Sequence, residues 1–275
     1  MKTRHEKRNR RSVLRDTVCV PPAVEFVRRI CNNFVELRRA KACLGTSEVV
    51  GGLACIEGIS ILALILCESR VREKEHLGGS ACTSRSGYRK AQHLMQLANK
   101  FRLPIIVFVT SSGSLPGIGN AEPHESVGIT QHLFSQMRSK SPIILAVLSR
   151  LNSGEVFGAW LGHNVLAFEQ TRFSMIVTCQ GMHRHVQAEA SYLHRYGVID
   201  TIVSEPPGGV GCRRGAKLKH LKSALSTMLI ELCKLSPEEL VVKRKDKLQR
   251  LLVIASEEGG REEWPYVTAH NSKPL

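Results

Sequence analysis

The chain has 275 residues, of which 43% are hydrophobic, and its 39 Lys and Arg residues outnumber 24 Asp and Glu residues to give a formal net charge of +15. This length and apolar content suffice for a sizeable buried core, which excludes an intrinsically disordered chain. Positive charge is concentrated in residues 1–15, where seven basic residues accompany one Glu, and we expect a flexible basic arm there. Because such an arm attracts nucleic acid, lipid and acidic protein alike, charge alone selects no partner, and we expect no dedicated nucleic-acid binding.

Nine cysteines are scattered through the sequence, and none forms a C-x-x-C pair. An odd number at wide spacing indicates neither a disulfide framework nor a zinc site, so we expect reduced thiols, no metal and a cytoplasmic protein. No stretch resembles a signal peptide, and the apolar run Ile59–Cys67 is too short to cross a bilayer. We therefore expect no membrane span.

The first predicted elements are a helix and a hairpin. Residues 21–42 begin with Pro-Pro and place apolar residues near helical spacing, which predicts one amphipathic helix. The stretch EVVGGLACIEGISILALIL then predicts two strands that meet at Glu57-Gly58. Between Arg70 and Ser86 the chain is charged and then rich in Gly, Ser and Thr, which predicts a flexible loop.

The centre of the chain twice repeats a helix followed by a strand. The stretch GYRKAQHLMQLANKF predicts a helix before the strand Ile105–Val109, and Glu125–Met137 predict a second helix before the strand Ile143–Leu148. The apolar face of the first helix comprises Ala91, Leu94, Met95, Leu97, Ala98 and Phe101. This repetition predicts an α/β fold with parallel strands. The later predicted elements are strands at Val165–Phe168, Ser174–Val177 and Ile199–Val203, a long amphipathic helix over 218–235, and a flexible tail over 256–275.

Two loops of small residues follow the two central strands, at Ser111–Gly119 and Asn152–Gly158. Loops after parallel strands form the working surface of open α/β sheets, and glycines there expose main-chain N–H groups. Both loops are therefore candidates to donate hydrogen bonds to one polarised oxygen, as in an oxyanion hole. The alternative is that they are only tight crossovers in which glycine supplies positive φ.

Several stretches, taken together, resemble the alpha subunit of the acetyl-CoA carboxylase carboxyltransferase. The most similar is SGYRKAQHLMQLANKFRLPIIVFVTSSGSLPGIGNAEPHES, with further matches in FVELRRAKACLGTSEVVGGLACIEG, YGVIDTIVSEPPGG and LSPEELVVKRKDKLQRL, in the family's order. The resemblance covers residues Asn33 to Leu251. It implies a crotonase-like (ClpP/crotonase) fold, a spiral of ββα units, here with amphipathic helices at both ends of a domain over residues 16–255.

The resemblance also implies an activity and its partners. Family members transfer a carboxyl group from carboxybiotin, carried on a biotin carboxyl carrier protein, to an acyl-CoA, at an interface with a beta subunit. We therefore expect this chain to work in a hetero-oligomer with a beta-like partner and to hold no cofactor of its own. The resemblance assigns backbone oxyanion donors to Gly113, Ser114 and Gly154 and substrate contacts to Pro116, Gly117, Asn152, Ser153 and Gly181.

The sequence departs from the family pattern in both loops. Ser112 and Leu115 replace a proline and a tyrosine, and Leu151 and Asn152 replace two adjacent glycines. A Cβ where the backbone must approach a flat ureido ring crowds the site. The alternative function is therefore a degenerate, non-catalytic subunit that stabilises a beta-like partner or docks an acidic carrier protein.

Other candidate groups give weaker indications of function. His183 and His185 are the only metal-like pair and lack a third ligand, while Gly117-Ile118-Gly119 lacks the rest of a dinucleotide fingerprint. The serines of the first loop have no His and Asp motif to make a nucleophile. Glu122, His124 and Glu155, beside the two loops, are candidate acid–base groups, although residues of these types more often form solvated surface. Arg89 and Lys90 are a candidate clamp on an anionic ligand, and the alternative is a solvated helix face.

Overall fold

The computed structural model describes residues 22–37, 49–67, 85–110, 135–148, 161–179, 182–205 and 214–258. The strands in these ranges are β1 (Asn32–Glu36), β2 (Val49–Ile56), β3 (Ile59–Cys67), β4 (Ile105–Thr110), β5 (Ile143–Val147), β6 (Asn164–Phe168), β7 (Arg172–Cys179), β8 (Met182–Glu189) and β9 (Thr201–Val203). The helices are α1 (Pro22–Ile30), α2 (Arg85–Phe101), α3 (Ala190–Arg195), α4 (Arg214–Cys233) and α5 (Pro237–Glu258).

A seven-stranded sheet runs in the order β1-β2-β3-β4-β5-β6-β9, and β7 and β8 form a separate antiparallel hairpin. The pairs β1/β2 and β2/β3 are antiparallel, while every pair from β3 to β9 is parallel. The predicted parallel winding is thus confirmed. The predicted hairpin is confirmed as well, because Ile56 pairs with Ile59 and both turn residues, Glu57 and Gly58, have positive φ.

Strict alternation along the central strands builds two cores, one on each face of the sheet. In β4, Ile105, Val107 and Val109 pack on the face covered by α2 and α3, whereas Ile106 and Phe108 pack on the face covered by α1 and α4. All five side chains are buried. Burial on both faces explains why these strands are continuous apolar runs in the sequence.

The prediction of one helix over 21–42 is wrong in its second half. Helix α1 ends at Ile30, and β1 follows with Asn33 at φ 53 and a register shift before Val35. Asparagine enters this left-handed conformation more easily than other non-glycine residues, so it redirects the chain. Val35 then pairs with Leu53 of β2, and the sheet gains its edge strand.

Three smaller predictions need correction, and one lies largely outside the described residues. Strand β8 was not predicted, and Phe101, assigned to the apolar face of its helix, is 61% exposed. Helix α5 continues to Glu258, past the limit at 255 that was expected for the domain. Of the helix predicted over Glu125–Met137, the structure describes residues 135–137, which are helical.

Two adjacent glycines in β2 allow close packing. A Cβ on Gly51 would overlap the side chain of Leu94 on α2, and a Cβ on Gly52 would overlap the carbonyl oxygen of Val35 on β1. Glycine is thus required at position 52, where the backbone of β1 approaches β2, whereas at position 51 a larger residue would have to displace the end of the Leu94 side chain.

Candidate active site

The carboxyl ends of β4 and β5 lie side by side in the parallel part of the sheet. Val109 pairs with Val147, and the N–H of Leu148 donates to the carbonyl oxygen of Val109 at 2.9 Å. Adjacent strands are separated by about 4.8 Å. The two loops predicted from the sequence therefore leave the same edge of the sheet from neighbouring strands, which is the arrangement that lets both reach one ligand atom.

The predicted site residues themselves lie outside the described residues. The first loop follows Thr110 and the second follows Leu148 within a few residues. Gly181 falls between Cys179 and Met182, which pair with each other at one end of the β7/β8 hairpin. The residues concerned are Gly113, Ser114, Pro116, Gly117, Asn152, Ser153, Gly154 and Gly181, together with Glu122, His124 and Glu155.

The first turns of α2 lie at this same edge. Helix α2 ends at Phe101, shortly before β4 starts at Ile105, so the helix runs antiparallel to that strand and begins near the carboxyl edge. Arg89 is exposed and Lys90 is half-buried. Both candidate cations are thus on the side of the molecule from which the two loops leave.

A cluster of side-chain contacts that was not predicted lies at the carboxyl ends of β6 and β9. The Lys217 ammonium group lies 3.8 Å from the centroid of the Phe168 ring and forms an ion pair with Glu205. The N–H of Gln170 donates to the second oxygen of Glu205 at 3.1 Å. These contacts attach the first turns of α4 to the ends of β6 and β9. Sequence reasoning missed them because no local pattern relates Phe168, Glu205 and Lys217.

His183 and His185 lie on β8. Within the described ranges there is no group of three or more His, Cys, Asp or Glu residues arranged to hold a metal ion.

Two strongly perturbed titratable groups, Arg244 and His163, lie at the opposite, amino edge of the sheet. There the buried Arg244 of α5 donates to the carbonyl oxygens of Gln136 at 2.9 Å, Met137 at 2.7 Å and Ser139 at 3.0 Å. Burial lowers the pKa of Arg244 to about 10, which leaves the guanidinium charged at neutral pH. Residues with shifted pKa values often mark active sites. The donors of Arg244, however, are hydrogen-bonded to backbone carbonyl groups, and the residue attaches α5 to the sheet.

His163 belongs to the same network. The N–H of Ile143 donates to His163 Nδ1 at 2.9 Å, so the proton of the neutral ring is on Nε2, which donates to the Leu240 carbonyl oxygen at 3.1 Å. Burial and the neighbouring Arg244 charge lower the pKa of His163 to about 3. This ring is therefore a neutral bridge between the sheet and α5 and is not available as a base.

An ion pair between the buried Lys247 and the more exposed Asp200 gives α5 a second attachment. Lys247 Nζ lies 2.6 Å from Asp200 Oδ2, and the same oxygen accepts the N–H of Val165 at 2.6 Å. Burial lowers the pKa of Lys247, and the Asp200 carboxylate opposes that shift. Helix α5 thus lies across the amino ends of β5, β6 and β9, and the carboxyl edge is left for the two loops.

Comparisons with known proteins give the family of this chain. The profile of the acetyl co-enzyme A carboxylase carboxyltransferase-like family matches residues 6–252. The chain is 31% identical over 241 residues to the acetyl-coenzyme A carboxylase carboxyl transferase subunit alpha of Aromatoleum aromaticum, covering 83% of this chain and 75% of that protein. It is 29% identical over 244 residues to the subunit of the same name from Exiguobacterium sibiricum, covering 84% and 78%.

Solved structures resemble this chain in fold. A Pseudomonas malonate decarboxylase hetero-tetramer in complex with coenzyme A includes a chain that matches with a TM-score of 0.61 at 10% identity, over 87% of this chain and 98% of that one. The transcarboxylase 12S structure matches with a TM-score of 0.53 at 14% identity, over 76% and 40%. The expected crotonase-like fold is confirmed. Across the described ranges, no helix combines the length and the apolar character needed to cross a membrane.

Proposed function

Since this chain belongs to the acetyl co-enzyme A carboxylase carboxyltransferase-like family, we propose that it is an alpha-type carboxyltransferase subunit that transfers a carboxyl group from carboxybiotin to an acyl-CoA. The observation that carries the proposal is the family match over residues 6–252, which spans β4, β5 and both loops that follow them. The match is supported by strand geometry, because β4 and β5 are parallel neighbours.

The chemistry assigned to this chain needs main-chain donors and no side-chain nucleophile. Carboxybiotin, when bound, would supply the carboxyl group as its N–C bond breaks, and the electron pair left on the ureido group would make the ureido oxygen more negative. The α-carbon of the acyl-CoA would form the new C–C bond, and the proton that it loses would go to the ureido nitrogen. In this proposal the N–H groups of Gly113, Ser114 and Gly154 stabilise that charge. Neutral donors suit an oxygen that is neutral before the step and negative after it, because they favour the later state. The flanking contacts with the flat ring come from Pro116, Gly117, Asn152, Ser153 and Gly181.

The proposed subunit works with two partners. One is a beta-like carboxyltransferase subunit that binds the acyl-CoA, and the other is the carrier protein that delivers carboxybiotin. Support for a divided site comes from the curated relatives, which are named as alpha subunits, and from the fold match to a chain of a malonate decarboxylase hetero-tetramer. The exposed Arg89, at the loop edge, is a candidate contact for an anionic group of either partner.

A second function is favoured by one observation in the sequence. Leu151 and Asn152 stand where the family has two adjacent glycines, at the start of the second loop. If their side chains exclude the ureido ring, the chain is a non-catalytic subunit that stabilises its beta-like partner.

Carboxyl transfer by the purified complex distinguishes the two functions. The chain is co-expressed with a beta-like partner, and formation of malonyl-CoA from acetyl-CoA is measured with a carboxybiotin donor. We expect turnover by the complex and none by either chain alone. A stable complex without turnover, for acetyl-CoA and for longer acyl-CoA acceptors, would establish the non-catalytic function.

A further inference from the structure

An exposed surface of mixed basic and apolar character lies at the amino edge of the sheet. It is formed by the end of α2 and by the segment that precedes β5, and we call it the amino-edge surface. Its members are Lys100, Phe101, Arg102, Met137, Arg138 and Lys140, all of them exposed.

Hydrogen bonds join the two segments into one unit. Asn99 Oδ1 accepts from Ser139 Oγ at 2.8 Å and from the N–H of Lys140 at 3.1 Å. From the other side, Arg244 of α5 donates to the carbonyl oxygens of Met137 and Ser139. The exposed side chains are therefore presented by a backbone that is already ordered, which lowers the entropic cost of binding.

The charge of this surface is of one sign. Residues 97–104 and 135–142 contain four cations and no acidic residue. None of these four cations forms an ion pair with another described residue, and the acidic residues in the first three turns of α5 are Glu238, Glu239, which is bound to Ser236, and Asp246. The side chain of Lys245 on α5 is exposed and adds a further positive charge beside Arg244. An unneutralised cluster of this kind favours an anionic partner.

Large apolar side chains lie among these cations. Phe101 is 61% exposed and Met137 is 49% exposed, and Val241, one turn before Arg244 on α5, is 45% exposed. Lys100 Nζ lies 6.0 Å from the centroid of the Phe101 ring. Aromatic and Met anchors surrounded by a charged rim are typical of protein interfaces, whereas single-stranded nucleic acid is bound by several stacked aromatics.

We propose that the amino-edge surface binds an acidic protein segment that carries apolar side chains. This binding goes beyond the proposed carboxyl transfer, because the surface and the two loops lie at opposite ends of β4. Six residues of a strand span about 20 Å, so a segment bound here does not touch the reacting groups. The acidic groups pair with the four cations, and the apolar side chains cover Phe101 and Met137.

The test uses the full-length chain and a defined probe. The probe is a fluorescein-labelled amphipathic helical peptide with leucines on one face and glutamates beside them, followed by fluorescence anisotropy. The variant Lys100→Glu/Arg138→Glu reverses two charges of the surface, and the control Arg172→Glu/Lys219→Glu makes the same change in net charge at exposed positions on β7 and α4. Phe101→Ser/Met137→Ser tests the apolar contribution. Circular dichroism checks folding, and Arg102→Glu/Lys140→Glu replaces the first pair should it fail to fold.

We expect the surface variants to weaken peptide binding by about tenfold or more and the control pair by less than about threefold. Carboxyl transfer by the complex should be unchanged in all of them, so a negative result here is separable from failure of the proposed function. Equal loss in the control pair would show that only net charge matters and would overturn the proposal. Tighter binding of single-stranded poly(U) RNA or of phosphatidylserine vesicles than of the peptide would also overturn the proposal. The same holds if Phe101→Ser/Met137→Ser binds the peptide as tightly as the wild-type chain.

Discussion

Replacing Arg244 by leucine should remove the main attachment of α5 to the sheet. The guanidinium donates to three carbonyl oxygens, and hydrogen bonds from charged donors contribute about 1.5–3 kcal/mol each. Part of this stabilisation is offset in the wild-type chain, because burying the guanidinium charge costs free energy and Arg244 Nε has no acceptor among the described residues. Leucine carries neither cost. We expect a net loss of about 3–5 kcal/mol in the free energy of unfolding, because three carbonyl oxygens lose their charged donor.

Urea unfolding followed by circular dichroism measures this change. In a chain of this size the thermal midpoint should fall by roughly 10 °C. The matched control is Arg250→Leu on the same helix, where the arginine is exposed and the expected change is within about 0.5 kcal/mol. Arg244→Lys should lie between the two, because one ammonium group cannot reach three acceptors spread over four residues. A loss below about 1 kcal/mol in Arg244→Leu would refute the assignment of this network as the attachment of α5.

Three further predictions concern acid stability, packing and catalysis. The pKa of His163 is about 3 in the folded chain and near 6.5 when unfolded, so the unfolded state binds the proton first as pH falls. Lowering the pH from 7.5 to 5 should therefore reduce the free energy of unfolding by about 2 kcal/mol, and His163→Gln should not show this loss. Urea midpoints at both pH values measure the difference. Gly52→Val should lower the thermal midpoint or abolish soluble expression, because its side chain overlaps backbone atoms of β1, and a midpoint equal to wild type would contradict that packing. Gly113→Val and Gly154→Val should each lower turnover of the complex by about a hundredfold or more, whereas Ser112→Ala should have little effect, and the reverse pattern in folded variants would exclude a backbone mechanism.

Elements with local patterns were predictable from the sequence. The hairpin at Glu57-Gly58 follows from two β-rich runs separated by a residue that accepts positive φ, and β4 follows from an apolar run after Pro104. The repeated helix–strand pattern predicted the parallel strands, which the sheet confirms, and the family resemblance then implied the crotonase-like fold.

Features that depend on distant partners were not predictable. Residues 32–36 have the apolar spacing of a helix, and only the pairing of Val35 with Leu53 makes them a strand. The alternation of apolar and polar residues is hard to recognise in the sequence of β8, because Arg184 occupies a position where the alternation requires an apolar residue. Arg244 and His163, 81 residues apart, look in sequence like surface residues, and their burial follows from the way α5 crosses the sheet.

The late position of α5 in the chain also governs how biosynthesis can finish the fold. Translation proceeds from the amino terminus, so all the described strands of the sheet are made and leave the ribosome before Arg244 does. Until then the carbonyl groups of Gln136, Met137 and Ser139 lack their Arg244 donor, and the apolar side of α5 that includes Leu240 is absent from the core. A nascent chain interrupted before residue 237 would therefore leave the amino ends of β5, β6 and β9 uncovered. Such an incompletely folded chain is a substrate for chaperones and proteases.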